Sequence, residues 1–458
     1  MRGTDRKIGG VRPYGRVAAA LAASICMAFA GDGFARTLKE SVDITVKRHP
    51  EILRDKALAK AADKGIDQAF SGYLPTFDID QEAGYEWTNS PTTRTRADKL
   101  PGNSSSVERL RRDSNASLRQ MLFDGFGTQS RVSSAHFSFD TATYTVAETG
   151  ERLGLRVAQL YLDVLRTQQF VDITQQNNAA LTEIANQIRD LAQSGRGTGS
   201  DVDQADSRLA QGRAALEQRR GENTVAIARY IEVVGEMPAD LVLPGAPQYQ
   251  RPAGEEEAIA FAMQYHPSAQ ASAAFYLSRK ADAKAAEAPL YYPRLDAEVL
   301  GSTGSNLDGN KGRDSDLNPR LRLRYTVFNG LGDLAHRDRA DEEAAAAKQD
   351  DNEQRRRIRE EVRVSFRNLM TAEERLPSLK AHASSAKQVL EGYRSQFELG
   401  KRSLLDLLDV QNELLQARLG LTDGEFRILL ANFELVSSMG VLLDSFGIKI
   451  AQAKDKVN

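Results

Sequence analysis

Hydrophobic positions along this chain follow two periods, and each period occurs in both halves. In FDIDQEAGYEW, Phe77, Ile79, Ala83, Tyr85 and Trp87 share one face, while Asp78, Asp80, Glu82 and Glu86 share the other. LDAEV sets Leu295, Ala297 and Val299 against Asp296 and Glu298. RLRLRYTVF sets Leu321, Leu323 and Tyr325 against Arg320, Arg322 and Arg324. Alternation of this kind predicts strands with one apolar and one charged face. The stretches 128–194 and 333–399 differ. Their apolar residues, such as Leu153, Leu155, Val157, Leu160, Leu162, Val164 and Leu165, are interleaved with charge, and no proline interrupts them before Pro377. That pattern predicts two very long helices packed as coiled coils, each roughly 100 Å at about 1.5 Å per residue.

The halves also match residue by residue. LRQMLFDGFG (118–127) matches LRYTVFNGLG (323–332), and one constant offset pairs Phe123 with Phe328, Gly195 with Gly400, Asp201 with Asp406 and Arg213 with Arg418. KRHPEI (47–52) pairs with QYHPSA (264–269). A match spread this widely predicts one structural unit written twice. In each unit a short helix stops before His49-Pro50 or His266-Pro267, because proline restricts the residue before it. A second helix follows, to about Gly72 or Pro289. Next come two extended stretches around a long polar loop (88–113 or 302–318), the long helix, a glycine turn and a return helix. PADLVLPGAPQYQRPAG (238–254) reads as the connector. The expected organisation is therefore 1–35 leader, 36–237 first unit, 238–254 linker, 255–441 second unit and 442–458 tail.

The first 35 residues read as a secretory signal: Arg2, Arg6, Lys7, Arg12 and Arg16, then VAAALAASICMAFA, then cleavage after Ala30 or Ala35. The apolar run is too short to span a bilayer, which counts against a retained anchor. Cys26, the single cysteine, lies inside it, so the remaining chain carries neither disulfide nor thiol ligand. The whole chain has a formal charge of -2, and the leader holds five basic residues against two acids, so the remainder carries about -5. That balance argues against nucleic acid as a partner.

No constellation for an enzyme, cofactor or metal emerges. His49, His136, His266, His336 and His382 fall in no ligand spacing. DGFGT (124–128) and NGLGD (329–333) lack a phosphate-loop pattern and read as strand-to-helix turns in which glycine supplies positive φ. The charged strand faces suit either a half-buried soluble sheet or a wet lumen. Two features favour the lumen. One strand of each pair is acidic and its neighbour more basic, so facing strands can neutralise each other. Tyr85 and Trp87 sit at a strand end, where aromatic girdles lie in membrane barrels. Four strands cannot close a barrel, and open edges are not tolerated in lipid. Several chains would have to pool their strands, and three would supply twelve.

The two strand–F-[DN]-G-x-G–helix units, the paired His-Pro helix starts and the turn GKRSLLDLLD together resemble the TolC family, closest within it to the outer-membrane channels of type I secretion systems. The resemblance covers nearly all of the chain after the leader. It implies an α+β homotrimer, with four strands per chain forming one twelve-stranded outer-membrane β-barrel continued by a periplasmic α-helical coiled-coil barrel. The implied function is a passive export duct, for type I secretion or small-molecule efflux, opened by a periplasmic adaptor and an inner-membrane ABC or proton-driven exporter. Phe77, Ile79, Tyr85, Trp87, Leu321 and Leu323 would then face lipid. Matched to the family's motif, Asp406 and Asp409 form the pore constriction. Gly195, Arg196, Gly197, Gly400 and Lys401 form adaptor-contact turns. Arg402, Ser200 and Asp201 make closed-state links; Phe397 stands where the family has a tyrosine, so one hydroxyl bond is missing. The alternative is a soluble periplasmic coiled-coil scaffold or adaptor.

The acids at the glycine turns have a second explanation. Thr198-x-x-Asp201 and Ser403-x-x-Asp406 fit a capping box, and acids in a first turn suit the helix dipole. Asp409 pairs by offset with Gln204, so a helix start does not require it. It reads as the more purely functional acid.

Overall fold

The computed structural model describes residues 36–99 and 105–449. The expected leader with Cys26, and residues 450–458 of the tail, lie outside the described residues.

The first half runs α1 (Leu38–Arg48), α2 (Pro50–Phe70), β1 (Thr76–Thr88), α3 (Pro91–Lys99), β2 (Val107–Phe123), α4 (Gly127–Gln193) and α5 (Gly199–Val234). The second runs α6 (Glu255–Tyr265), α7 (Pro267–Tyr291), β3 (Arg294–Ser305), β4 (Arg313–Arg324), α8 (Gly332–Glu398) and α9 (Leu404–Ser438), then α10 (Leu442–Ser445). Residues 238–254 carry neither helix nor strand. Both His-Pro pairs start helices as expected. The His49 Nδ1 accepts the Glu51 amide at 3.3 Å and the His266 Nδ1 accepts the Ser268 amide at 3.2 Å, with proline at the first helical position. Burial pushes the His266 imidazole down to about 4, so it caps as a neutral acceptor.

The strands form one antiparallel sheet in the order β1-β2-β3-β4, which leaves β1 and β4 as open edges. Strand identities match the alternation, but strand lengths do not. β2 starts at Val107, β3 reaches Ser305 and β4 begins at Arg313, so the expected loop 302–318 shrinks to 306–312. The other loop, expected over 88–113, contains α3. β4 also stops at Arg324, short of the expected Phe328. Beyond it the Tyr325 hydroxyl donates to the Leu290 carbonyl at 2.9 Å.

α4 and α8 are each 67 residues long. Each packs antiparallel along its return helix, and α4 also packs on α9, α7 and α2. Two main apolar cores result, beside smaller clusters along the helices. The larger joins Val42, Val157, Tyr161, Tyr230, Ile358, Leu369, Phe433 and Leu442 midway along the helices. The smaller lies at the hairpin tips and draws on all four long helices: Ile184 and Ile188, Ala205 and Leu209, Tyr393 and Phe397, Leu404 and Leu407. Residues 442–448 are no loose tail. α10 packs into the larger core, and its Leu442 and Leu443 amides donate to the Glu151 carboxylate at 2.7 and 3.0 Å. Glu151 is deeply buried, which pushes its carboxyl up to about 7 against the opposing pull of those two amides.

Candidate functional site

The sheet separates its chemistry by face. Phe77, Ile79, Tyr85, Trp87, Leu321 and Leu323 lie together on one side and are 63–79% exposed. The register extends that apolar side across the sheet, since Phe77 faces Leu118, Leu118 faces Val299, Leu295 faces Leu323 and Ala297 faces Leu321. An exposed apolar band on a sheet with two open edges demands an apolar surrounding and neighbouring strands.

The opposite face is charged. Glu298, only 2% exposed, collects three guanidinium groups: Arg119 at 3.0 Å, Arg320 at 2.8 Å and Arg322 at 3.4 Å. Arg294 pairs with Asp296 at 3.0 Å, and Arg111 bridges Glu86 at 3.4 Å and Asp113 at 3.0 Å. The expected neutralisation between facing strands thus holds for β3 against β4. It fails along most of β1, because Asp78, Asp80 and Glu82 face Ser117, Asn115 and Asp113. Those three β1 acids make no ion pair among the described residues.

Two left-handed residues in succession turn each strand into its helix: Gly125 and Phe126 (φ 67° and 65°), then Gly330 and Leu331 (φ 71° and 66°). Glycine was foreseeable there; a left-handed Phe126 and Leu331 were not. The preceding Asp124 and Asn329 compensate by capping. The Asp124 Oδ2 accepts the Thr128 amide at 2.8 Å and its hydroxyl at 2.7 Å, and the Asn329 Oδ1 accepts the Asp333 amide at 3.4 Å. This explains the [DN] of the paired motif, and its spacing to Thr128 was a readable signal.

At the far end the two glycine turns are built alike. Gly195 (φ 74°) and Gly400 (φ 71°) follow the helix ends in the left-handed conformation. The next amides, Arg196 to Leu191 O at 2.9 Å and Lys401 to Gln396 O at 2.8 Å, close the same six-residue loop. Arg196, Gly400 and Lys401 are exposed and Gly197 half-buried, so both turns present basic loops to solvent.

Both capping boxes form. Thr198 and Asp201 exchange contacts at 3.1 and 3.2 Å, and Ser403 and Asp406 at 3.3 and 3.2 Å. The hydrogen bonds from Ser403, and then Arg402 nearby, hold the Asp406 carboxyl below its ordinary value. Asp409 has a partner that sequence reasoning missed: its carboxylate meets the Arg208 guanidinium of α5 at 3.3 Å. The expected links of Arg402 to Ser200 and Asp201 are not made within this chain. Arg402 instead bonds Gln396 at 2.9 Å, stacks 4.2 Å over the Tyr393 ring and sits 3.9 Å from Asp406. Asp201 is occupied by its own cap, and Phe397 packs against the tip core. Two further ion pairs stitch the tips, Arg394 to Glu183 and Arg189 to Asp206.

A sheet with one exposed apolar face, one charged face and open edges, continued into helical hairpins roughly 100 Å long, fits a subunit of an outer-membrane channel. Residues 42–236 and 259–441 match the outer membrane efflux protein family, and the chain belongs to that family. The outer membrane efflux protein BepC of Brucella suis biovar 1 is 25% identical over 342 residues, spanning 74% of each chain. The outer membrane protein TolC of Vibrio cholerae serotype O1 is 22% identical over 433 residues, covering 92% of this chain and 95% of its own length. Among solved structures, the outer-membrane channel OprN superposes with a TM-score of 0.76 at 20% identity, covering 88% of this chain and 89% of OprN. The protein is thus a TolC-family outer-membrane channel protein that extends into the periplasm.

Proposed function

We propose that the chain assembles as a homotrimer whose three sheets close one twelve-stranded barrel, and that it serves as the outer-membrane duct of a tripartite export system. The observation that carries this is the four-stranded sheet with both edges unpaired and its apolar side exposed, which a single chain in lipid cannot sustain. The doubled order of elements, with equal 67-residue helices in both halves, suits a ring of six similar hairpins.

In this reading Phe77, Ile79, Tyr85, Trp87, Leu321 and Leu323 face lipid, and the basic turns at Gly195–Gly197 and Gly400–Lys401 receive a periplasmic adaptor. Asp406 and Asp409 form the constriction, with Arg402, Ser200, Asp201 and Phe397 around it. An inner-membrane exporter supplies the energy, and the duct itself is passive. Across subunits Arg402 can still reach Ser200 or Asp201, which its own chain does not offer it.

Detergent fractionation, native mass and planar-bilayer recording test the reading. A membrane-bound trimer with discrete conductance steps is expected; a soluble monomer without conductance would replace it with the scaffold alternative. Deleting the protein from its host separates the two cargo classes. Hypersensitivity to amphipathic drugs indicates efflux, and loss of a secreted polypeptide from the medium indicates type I secretion.

A further inference from the structure

The unmatched acids of β1 have a complement at the other edge of the same sheet. On the lumen side β4 carries Arg320, Arg322 and Arg324; the first two share the single Glu298, and Arg324 has no acidic partner among the described residues. One edge of the sheet is therefore surplus in carboxylate and the other surplus in guanidinium, on the same face.

We propose, resting on the duct reading above, that the seam between subunits is a charge ladder in which Arg320 and Arg322 of β4 face two of the β1 acids Asp78, Asp80 and Glu82 of the partner subunit.

The register supports it. The rung that begins at Thr76 continues through Arg119 and Glu298 to Arg320. Below that rung β4 runs four residues further, to Arg324, opposite Arg294. Tilted strands in a barrel produce this stagger when the rim is level. Continued at the same pitch across one more strand, it reaches about five residues. Residues facing each other on antiparallel strands share a face. Lumen-facing Arg320 must therefore meet a lumen-facing residue, which makes the stagger even: four or six. Arg320 then faces Asp80 or Glu82 of the partner subunit, and Arg322 faces Asp78 or Asp80 of the partner subunit. Both registers oppose arginine to acid. The matching is confined to the lower half of the strands, because β4 turns acidic above it at Asp316 and Asp314. A heterologous, head-to-tail contact of this kind closes into a ring when the rotation closes, and unlike charges suppress the like-edge pairings β1–β1 and β4–β4.

Cysteine cross-linking in a Cys26→Ser background reads the register directly, since facing Cα atoms lie within disulfide reach. In outer membranes, Asp80→Cys combined with either Arg320→Cys or Arg322→Cys should give reductant-sensitive covalent oligomers in one of the two combinations. Asp80→Cys with Leu321→Cys, on the opposite face, should give none. Separately, Asp80→Arg should cut trimer recovery several-fold, and adding glutamate at whichever of Arg320 or Arg322 cross-links to position 80 (Arg320→Glu or Arg322→Glu) should restore it. A wild-type trimer in which neither combination cross-links, or in which reversal has no effect or is not rescued, overturns the ladder and leaves the duct standing. A monomeric wild type overturns the duct reading itself.

Discussion

Asp409 on α9 and Arg208 on α5 meet at 3.3 Å, joining the return helices of the two hairpins at their tips. Asp409 is largely and Arg208 partly exposed, and such pairs add at most about 1 kcal/mol. The pair's consequence is electrostatic, because each Asp409 carboxylate at the proposed constriction is accompanied by a cation. Arg208→Gln is expected to raise cation selectivity, read from reversal potentials under a salt gradient, with little change in thermal stability. Asp409→Asn is expected to lower selectivity, also with little change in stability. Asp406→Asn should lower both, since Asp406 also closes the capping box with Ser403. Equal stability losses for the two aspartate variants would reject this division of labour.

The strand-to-helix turns predict an asymmetry between positions that look equivalent. A Cβ at Gly125 would come within 2.5 Å of the Tyr292 Cβ, whereas nothing lies within 4 Å of one at Gly330. Left-handed backbone alone costs a residue with a Cβ about 1–2 kcal/mol. Gly330→Ala should lose about that much, and Gly125→Ala clearly more, seen as a lower melting temperature and weaker assembly. Equal losses would mean that Tyr292 yields freely.

Buried Glu151 predicts a pH dependence for the α10 clasp. Its folded value of about 7 lies above the ordinary 4.5, so the closed clasp holds a proton that the opened one releases between those values. Stability is then greatest at the acid end and falls as pH rises from about 4.5 to about 7, by on the order of 3 kcal/mol in all. Hydrogen exchange of the Leu442 and Leu443 amides, corrected for intrinsic rate, should show more opening at pH 8 than at pH 5. Glu151→Gln should flatten that dependence; an unchanged slope in the variant would assign it elsewhere.

The topology predicts where proteases cut. On intact cells, cleavage is expected in the region of α3 and in residues 306–312. The turns at Gly195 and Gly400 should be cut only after the outer membrane is breached. The reverse pattern would invert the orientation.

Much of this architecture was legible because its signals are long or duplicated. Sixty-odd residues of interleaved apolar and charged positions define a helix better than any single cap does, and the His-Pro pairs fix two helix starts to the residue. The strand ends were not legible. Ser114, Asn115 and Ser117 on β2, and GSTGS and RDSD on β3 and β4, are small or polar on both faces, so alternation disappears there. Pro319 lies within β4, where an edge strand tolerates a missing ladder donor. At the tips, the capping acids were readable from local spacing. Arg208 was not, because its partner lies about two hundred residues away along the chain. Likewise, no sequence window reveals that Glu151 receives the amides of Leu442 and Leu443.

The equal lengths of α4 and α8 set a tolerance on how the protein can change. One inserted residue advances a helix by about 1.5 Å and rotates everything beyond it by about 100°. A lone insertion in α4 would swing its tip residues out of the shared core and leave its turn out of step with the one at Gly400. Only increments near seven residues, about two turns, restore the phase, and all four long helices must take them together. Length in this molecule is quantised and shared, like matched legs on a tripod: a duct of different reach requires coordinated edits in four separated segments.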